Sequence, residues 1–274
     1  MIKTEKLTKY YNKHRGIIDV DLSIKKGEIF GFIGPNGAGK STTIRILLNM
    51  IFKTEGDASI FNLDVEKKSK EIKQEVGYVP AEVNYYDFMK VTDILNFTKS
   101  FDSDVTDKKI KEICSFLDLD MKRYIRELSS GNKKKVAIAQ AILRDPKLLI
   151  LDEPTNGLDP LMQKKLFDLL IDFKKKGKTV FLSSHNLNEV EKYCDRVGFI
   201  KDGKMLSVQT IDEIKSKLNK KVIITYKDKT KKEFIHKGKI KELIKELSDK
   251  NIIDLEIKNT SLEEGFLDIY GSGE

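Results

Sequence analysis

The sequence has little cysteine and lacks any long apolar segment. Cys114 and Cys194 are the two cysteines among 274 residues. They are too few and too far apart for a disulfide framework or a metal cluster, so we expect two buried thiols. No stretch approaches the roughly 20 apolar residues that cross a bilayer. The opening residues, MIKTEKLTKYY, also lack the apolar core of a secretory signal. These absences predict a cytoplasmic chain.

The sequence also lacks the pattern of a nucleic-acid-binding protein, although its net charge is +8. Its lysine runs are mixed with acidic residues and lack the aromatic side chains that stack on bases, and no nucleic-acid reader motif is present. We therefore predict no nucleic-acid partner. Two explanations of the charge remain open: a solvated lysine-rich surface, or attraction to an anionic membrane face, where each cation contributes about 1 kcal/mol.

Hydrophobic spacing indicates strands that alternate with helices. Apolar runs typical of buried strands occur at 28–33, 148–151 and 179–183. Helical spacing occurs at 41–50 and 160–175. This alternation is typical of an α/β domain with a mostly parallel sheet. Further segments with a clear pattern are the strand-like stretches 2–7 and 19–24 and a helical insert at about 87–145.

The pattern changes after about residue 217, which predicts a second, smaller domain. Short strands are predicted at 222–226, 233–236 and 252–257, and a helix at 240–247. Ser261 and Glu264 have the spacing of a capping box, so we expect a final helix that reaches about Tyr270. The prediction is an α/β domain at 1–217 and an α+β appendage at 218–274, with a role in regulation or dimerisation.

A glycine-rich loop between a predicted strand and a predicted helix points to phosphate binding. Its residues fit G-x-x-x-x-G-K-[ST] and are Gly34, Pro35, Asn36, Gly37, Ala38, Gly39, Lys40 and Ser41. Glycines let successive amide N–H groups converge on phosphate oxygens, and the helix adds its positive N-terminal dipole. We predict that Lys40 reaches the β- and γ-phosphates of ATP, that Ser41 ligates Mg²⁺, and that Thr42 belongs to the same binding set.

Two acidic residues end the predicted buried strand at 148–151. Ionised carboxylates at the edge of a core are unfavourable unless they are paired or bound to a metal, so Asp152 and Glu153 need a chemical reason. We predict that Asp152 binds Mg²⁺, directly or through water. Glu153 suits a general base that polarises the attacking water, an effect typically worth about 10²–10⁴-fold in rate.

The segment Leu128-Ser129-Ser130-Gly131-Asn132 resembles the LSGGQ signature of ABC transporter nucleotide-binding domains, from which Ser130 and Asn132 depart. The resemblance covers about residues 1–215. It implies a P-loop NTPase fold with a mostly parallel central sheet, an N-terminal antiparallel β subdomain and a helical insert. It also implies that Ser129 and Gly131 bind, in trans, the γ-phosphate of an ATP held by a second copy, so that a homodimer sandwiches two ATP molecules.

Three more positions take expected roles from this resemblance. Asp159 closes the segment Asn156-Gly157-Leu158-Asp159, which resembles the D-loop that couples the two sites of a dimer. His185 resembles the switch histidine that contacts the γ-phosphate. Tyr11 resembles the aromatic residue that stacks on adenine, although Tyr10 is adjacent and a core or surface tyrosine remains an alternative.

The Q-loop is the place where the sequence departs most from the family. Residues 76–80 match its lead-in, but Ala81 stands where glutamine is expected. Our hypothesis is that Glu82 substitutes for the missing glutamine and turns towards Mg²⁺ or the attacking water. The alternative is that Glu82 is an exposed loop acid.

The signature run 128–136, the Ala81-Glu82 pair and the tail 260–267 resemble ATPase subunits of ABC-2-type exporters, a group associated with antibiotic and peptide efflux and with lantibiotic self-protection. The resemblance implies an ATP hydrolase that docks, near residues 82–87, on a separate integral-membrane permease at the inner face of the cell membrane. Two alternatives remain: a soluble ABC ATPase acting on ribosomes or DNA, and a regulatory module that holds ATP without hydrolysing it.

Overall fold

The computed structural model describes residues 1–236, 238, 240–248 and 250–260. It divides the chain into two compact units, Met1–Val208 and a second that begins at Gln209. The second unit therefore starts ahead of the predicted boundary after residue 217, because helix Ile211–Lys217 groups with it. The final helix predicted from Ser261 lies outside the described residues.

The first unit alternates strands and helices along most of its length. In chain order its elements are β1 (Ile2–Tyr11), β2 (His14–Ile24), β3 (Ile29–Ile33), α1 (Lys40–Leu47), β4 (Glu55–Ile60), β5 (Leu63–Asp64), α2 (Ser69–Gln74), β6 (Val76–Val79), α3 (Val91–Lys99), α4 (Asp107–Phe116), α5 (Ser130–Leu143), β7 (Leu148–Asp152), α6 (Pro160–Lys175), β8 (Thr179–Ser184), α7 (Leu187–Tyr193), β9 (Arg196–Lys201) and β10 (Lys204–Thr210). The last two residues of β10 fall in the second unit.

A six-stranded sheet forms the centre of this unit, in the order β10-β9-β3-β8-β7-β6. Strand β3 pairs in parallel with β8 and β9, and β7 pairs in parallel with β6 and β8. Every residue of β3, β7 and β8 is buried, as expected for strands covered on both faces. The carboxyl ends of these neighbouring strands meet at one edge, where open α/β sheets bind ligands. The predicted α/β class with a mostly parallel sheet is confirmed.

The N-terminal strands form a separate antiparallel sheet in the order β2-β1-β4-β5. Ile2 of β1 lies opposite Ile24 of β2 on one side and opposite Ile60 of β4 on the other. All three isoleucines are buried and belong to one hydrophobic cluster with Phe30 and Phe32 of β3. This shared core fixes the antiparallel sheet against the strand that precedes the phosphate loop.

The predicted insert contains the three helices α3, α4 and α5. Thr106 caps α4, since its hydroxyl accepts a hydrogen bond from the backbone N–H of Lys109, and Ser129 caps α5 in the same way through the N–H of Asn132. Helix α5 is the most buried of the three, from Val136 to Ala139 in particular. It packs against α3, α4 and strand β6, so the signature residues at its start are held by the core.

The second unit contains α8 (Ile211–Lys217), β11 (Lys220–Tyr226), β12 (Lys231–His236), α9 (Ile240–Leu247) and β13 (Ile252–Asn259). Its strands form an antiparallel sheet in the order β12-β11-β13. Leu243 and Leu247 of α9 pack on Val222 and Ile224 of β11, which is the pattern expected of an amphipathic helix on a sheet. The elements predicted between residues 222 and 257 are all present.

The two cysteines lie inside the first unit. Cys114 and Cys194 are both buried and free of any disulfide, as predicted. Burial raises the pKa of both thiols, which keeps them in the weakly reactive protonated form. Within the described part of the chain, no helix has the length and apolar character needed to cross a membrane.

Candidate active site

The phosphate loop connects β3 to α1, which begins at Lys40. Two of its glycines are required by the packing. A Cβ on Gly34 would lie 2.2 Å from the carbonyl oxygen of Ile200, and a Cβ on Gly39 would lie 2.5 Å from Cγ2 of Ile17. Gly39 also has φ = 109°, in the region that favours glycine. The loop is therefore tight because the neighbouring strands approach it closely.

Lys40 joins this loop to the acidic end of β7. Its side chain is only 6% exposed, and its Nζ donates to the carbonyl oxygens of Gly34 at 2.6 Å and Pro35 at 3.2 Å. Its third partner is Oε1 of Glu153 at 3.1 Å. An ammonium group has three protons to donate, so these three oxygens satisfy it in a buried position.

Glu153 is the most heavily bonded acid of the site. Its Oε2 lies 2.5 Å from Nδ1 of His185 and accepts a hydrogen bond of 3.0 Å from Nδ2 of Asn156. Burial on its own would raise the pKa of Glu153, but the hydrogen bonds and charges of Lys40 and then His185 outweigh burial and hold this pKa below its ordinary value. The carboxylate is therefore ionised at neutral pH, as a base must be.

The backbone of Glu153 is unusual because its φ is +48°, a left-handed conformation that side chains other than glycine adopt rarely. Ser183 of β8 stabilises this turn: its Oγ accepts a hydrogen bond from the N–H of Glu153 at 3.1 Å. The same hydroxyl donates to Oδ1 of Asp152 at 2.5 Å. One serine on the neighbouring strand thus orients both acids.

The phosphate loop borders a cavity of about 220 Å³. The predicted residues that line it are Tyr11, Pro35, Asn36, Gly37, Ala38, Gly39, Lys40, Ser41, Thr42 and Glu153. The Tyr11 hydroxyl lies 3.5 Å from Oγ1 of Thr42, and Tyr10 is not part of the lining. Arg15 and Gly16 also line the cavity, and the sequence analysis did not identify them because they belong to no motif.

Ser129 and Gly131 lie outside the lining of this cavity, and their predicted contact with the ATP of a second copy stays a prediction. A Cβ on Gly131 would lie 2.3 Å from the carbonyl oxygen of Gly157, so the signature segment contacts the D-loop of its own chain. Asp159 caps α6, since its Oδ1 accepts a hydrogen bond from the N–H of Met162. That bond lowers the pKa of Asp159; the predicted contact of Asp159 with nucleotide stays a prediction.

Glu82 lies apart from the phosphate-loop cavity. Its side chain is exposed, and it lines a different cavity of about 580 Å³ together with Ser130, Lys134 and Gly157. The metal role of Glu82 stays a prediction with a direct test. If Glu82 serves Mg²⁺ or the attacking water, the Glu82→Ala variant should lose ATPase activity at saturating ATP. Activity equal to that of the unmodified chain would contradict the role and leave Glu82 as a loop acid.

Lys134 is a buried residue that the sequence analysis missed. It is 3% exposed, and its Nζ donates to the carbonyl oxygens of Pro80 at 2.8 Å, Ala81 at 2.6 Å and Glu153 at 3.5 Å. Burial lowers the pKa of Lys134, and the negative charges of Asp152, Glu153 and Glu82 oppose that shift. In the sequence it is one of three consecutive lysines, of which Lys135 is also buried. The property that distinguishes Lys134 is its set of bonds to the carbonyl oxygens at the ends of β6 and β7.

Glu189 of α7 is a second buried group beside the site. Its Oε2 accepts hydrogen bonds from the hydroxyls of Thr155 at 3.2 Å and Ser184 at 3.3 Å. Burial raises the pKa of Glu189, and the two hydroxyl bonds act in the opposite direction. Thr155 follows Glu153 and Ser184 precedes His185, so Glu189 connects the two segments that carry the predicted catalytic pair.

Several known proteins are similar to this chain. A family model described as ABC transporter matches residues 17–156. The bacitracin transport ATP-binding protein BcrA of Bacillus licheniformis is 36% identical over 234 residues, which cover 84% of this chain and 76% of that protein. The linearmycin resistance ATP-binding protein LnrL of Bacillus subtilis is 33% identical over 229 residues, covering 82% and 74%.

A solved structure with the same fold is the dimeric post-hydrolysis state of the ATP-binding cassette MJ0796 bound to ADP and Pi. It has a TM-score of 0.70 and 26% sequence identity, and the match covers 77% of this chain and 99% of that one. None of these three proteins is named for ribosomes or DNA, so they give no support to the alternative of a soluble ATPase acting there. The resemblance, the P-loop NTPase fold and the ATP hydrolase activity predicted from the sequence are confirmed. The chain belongs to the ABC transporter family, as an ATP-binding and ATP-hydrolysing subunit.

Proposed function

We propose that this subunit powers an ABC-2-type exporter of antibiotics, drugs or peptides, and that Glu153 and His185 are its catalytic residues. The observation that carries the catalytic assignment is the chain of contacts Lys40–Glu153–His185, at the carboxyl ends of β3, β7 and β8. The exporter assignment is supported by the names of the relatives, one a bacitracin transport protein and the other a linearmycin resistance protein.

In the proposed reaction Lys40 exchanges its carbonyl partners for phosphate oxygens of ATP. The backbone amides of the phosphate loop and the N-terminal dipole of α1 bind the same anion. Glu153 then polarises a water molecule for attack on the γ-phosphorus, and His185, which holds Glu153 at 2.5 Å, orients the carboxylate and contacts the γ-phosphate. Phosphoryl transfer depends mainly on such positioning and charge stabilisation.

We also propose that Ser41 and Asp152 hold Mg²⁺. In the described residues no group of three or more acidic, histidine or cysteine side chains forms a metal cage. Mg²⁺ bound with a nucleotide does not need one, because it takes one or two protein oxygens and completes its coordination with phosphates and water. The Ser41 hydroxyl and the buried Asp152 carboxylate are hard oxygen donors of this kind. The ion would neutralise negative charge on the phosphates.

A homodimer completes the proposed site. Ser129 and Gly131, at the start of α5, would meet the γ-phosphate of an ATP bound by the second copy, where the helix N-terminus favours an anion. Support comes from the dimeric cassette of the same fold bound to ADP and Pi. Within one chain these residues do not line the phosphate-loop cavity, so they are available to a partner.

We propose that a separate permease, at the inner face of the cell membrane, docks on an aromatic groove of the first unit. This groove has a volume of about 360 Å³ and is lined in part by Tyr85, Phe97 and Phe101. Phe97 and Phe101 are 59% and 64% exposed, and their rings meet edge to face at 4.9 Å. Exposed aromatic pairs of this kind are typical of interaction surfaces. The permease-docking segment predicted at 82–87 forms part of the groove, since Val83, Asn84 and Tyr85 line it.

The docking proposal predicts a specific loss of permease binding. We expect the Phe97→Ser variant, purified from native membranes, to recover at least about tenfold less of the integral-membrane partner, since an aromatic hot spot is typically worth about 2 kcal/mol or more. Its ATPase activity without the partner should be unchanged. Phe52→Ser is the matched control, because Phe52 is 68% exposed but does not line the groove. Equal recovery with both variants, or recovery with ribosomes, would contradict the proposal.

A further inference from the structure

Lys134 makes contacts that a surface lysine beside a signature sequence would not make. It lies in the first turns of α5, and its side chain points into the protein, where it is 3% exposed. Its Nζ makes two short bonds, to the carbonyl oxygens of Pro80 and Ala81, and a longer one to that of Glu153. A lysine is buried at acceptable cost only when its protons find acceptors, and here all three do.

The three acceptors belong to the ends of two adjacent strands. Pro80 and Ala81 follow β6, and Glu153 follows β7; in the sheet Val79 of β6 lies opposite Leu151 of β7. Lys134 therefore connects the signature helix to both strand ends at once. This chain has alanine at position 81, where the family is expected to have glutamine. Lys134 binds the backbone carbonyl oxygen of Ala81 instead of a side chain.

Lys134 contacts Glu153, whose backbone conformation is unfavourable and must be stabilised by its neighbours. Glu153 has φ = +48°, and such a conformation persists only where surrounding groups hold it. Ser183 binds its N–H, and Lys134 binds its carbonyl oxygen. We propose that Lys134 is a positioning residue for ATP hydrolysis, which holds Glu153 in its catalytic orientation and couples that orientation to the signature helix. The inference rests on the proposed catalytic role of Glu153.

The preceding residue, Lys133, has different surroundings, which provides a control. Lys133 is partly exposed, and its Nζ lies 3.7 Å from Oδ1 of Asp87. Asp87 is on a loop that carries none of the proposed catalytic residues. Lys133 and Lys134 have the same charge and lie on the same helix turn. Replacing each with methionine removes one positive charge from almost the same place, so a long-range electrostatic effect would appear in both variants.

The test compares kcat and KM for ATP in four purified chains: unmodified, Lys134→Met, Lys134→Gln and Lys133→Met. We expect Lys134→Met to lower kcat by about 10–100-fold, the range for displacement of a catalytic group by an ångström or less, with KM within about twofold. Lys134→Gln keeps two N–H donors and should recover part of kcat. Lys133→Met should match the unmodified chain. Thermal unfolding of each variant shows whether it is folded.

Glu153→Gln, assayed in parallel, separates two kinds of failure. If Glu153→Gln is inactive and Lys134→Met keeps the unmodified kcat, the positioning role is overturned and the catalytic assignment stands. If Glu153→Gln hydrolyses ATP normally, both are overturned. A uniform rise in KM without loss of kcat would also overturn the positioning role. Should Lys134→Met fail to fold, Lys134→Gln decides, because two amide protons cannot replace all three bonds of the ammonium group, and a folded Lys134→Gln variant with the unmodified kcat contradicts the proposal.

Discussion

Glu153→Gln is expected to lower the turnover number for ATP hydrolysis by about 10²–10⁴-fold, the usual contribution of a general base. Glutamine has nearly the shape of glutamate but cannot accept a proton at neutral pH. Because Lys40 and the phosphate loop are unchanged, ATP should still bind. With hydrolysis blocked, the proposed sandwich should accumulate, so light scattering after gel filtration should show a dimer that depends on ATP.

The isosteric control for this experiment is Glu191→Gln on α7, a position of the same residue type outside the phosphate-loop cavity. It should hydrolyse ATP at the unmodified rate. A Glu153→Gln chain that retains full activity would exclude Glu153 as the base. A chain that is inactive yet remains monomeric under saturating ATP would instead count against the sandwich, while leaving the chemistry at Glu153 in place.

Lys40→Ala is expected to weaken ATP binding by about 100-fold, which corresponds to about 3 kcal/mol and to the loss of charge-assisted bonds to phosphate. The change also removes the partner of Glu153 Oε1 at 3.1 Å. Hydrolysis should therefore fall with binding. Isothermal calorimetry with a non-hydrolysable ATP analogue measures the affinity directly, without turnover.

The comparison for Lys40 is Lys67→Ala, which removes an exposed lysine on the loop before α2. If the loss of affinity reflected the net charge of the protein, both variants would show it. Unmodified affinity in Lys40→Ala would refute the phosphate-loop assignment. An equal loss in both variants would show that general electrostatic attraction, rather than the loop, binds the nucleotide.

Local patterns accounted for the elements that carry the site. Strands β3, β7 and β8 are continuous apolar runs because both of their faces are covered, so their sequences alone identify them. The glycine motif predicted the end of β3 and the start of α1 to within one residue. The helix was predicted to begin at Ser41, and it begins at Lys40. Local sequence patterns do not give the order of the strands in the sheet. That order places β7 beside β8 and so brings Glu153 and His185 together.

The elements that the sequence analysis did not assign owe their structure to partners distant in the chain. Strand β4, Glu55–Ile60, contains a glycine and two acids and has only two buried residues; it is a strand because it pairs with β1. Strands β9 and β10 continue the sheet beyond β3. Propensity within such segments is weak, and long-range pairing decides their conformation.

The same distinction holds for the candidate site. Motifs identified Lys40, Asp152 and Glu153 because phosphate and metal chemistry need those residue types at those spacings. They could not identify Lys134, since three adjacent lysines are equivalent until the helix phase and the core decide which of them reaches the carbonyl oxygens at the ends of β6 and β7. Nor could they show which of Tyr10 and Tyr11 faces the site. The two residues point to opposite sides of β1, and only Tyr11 lines the phosphate-loop cavity.

The two native thiols make this chain a convenient background for site-specific labelling. Cys114 is 3% and Cys194 9% exposed, and the raised pKa of each thiol leaves little thiolate to react with maleimides at neutral pH. A cysteine introduced at an exposed position would therefore carry a spectroscopic probe selectively, without removal of either native residue. Pairs of such probes could report the approach and separation of two copies in real time.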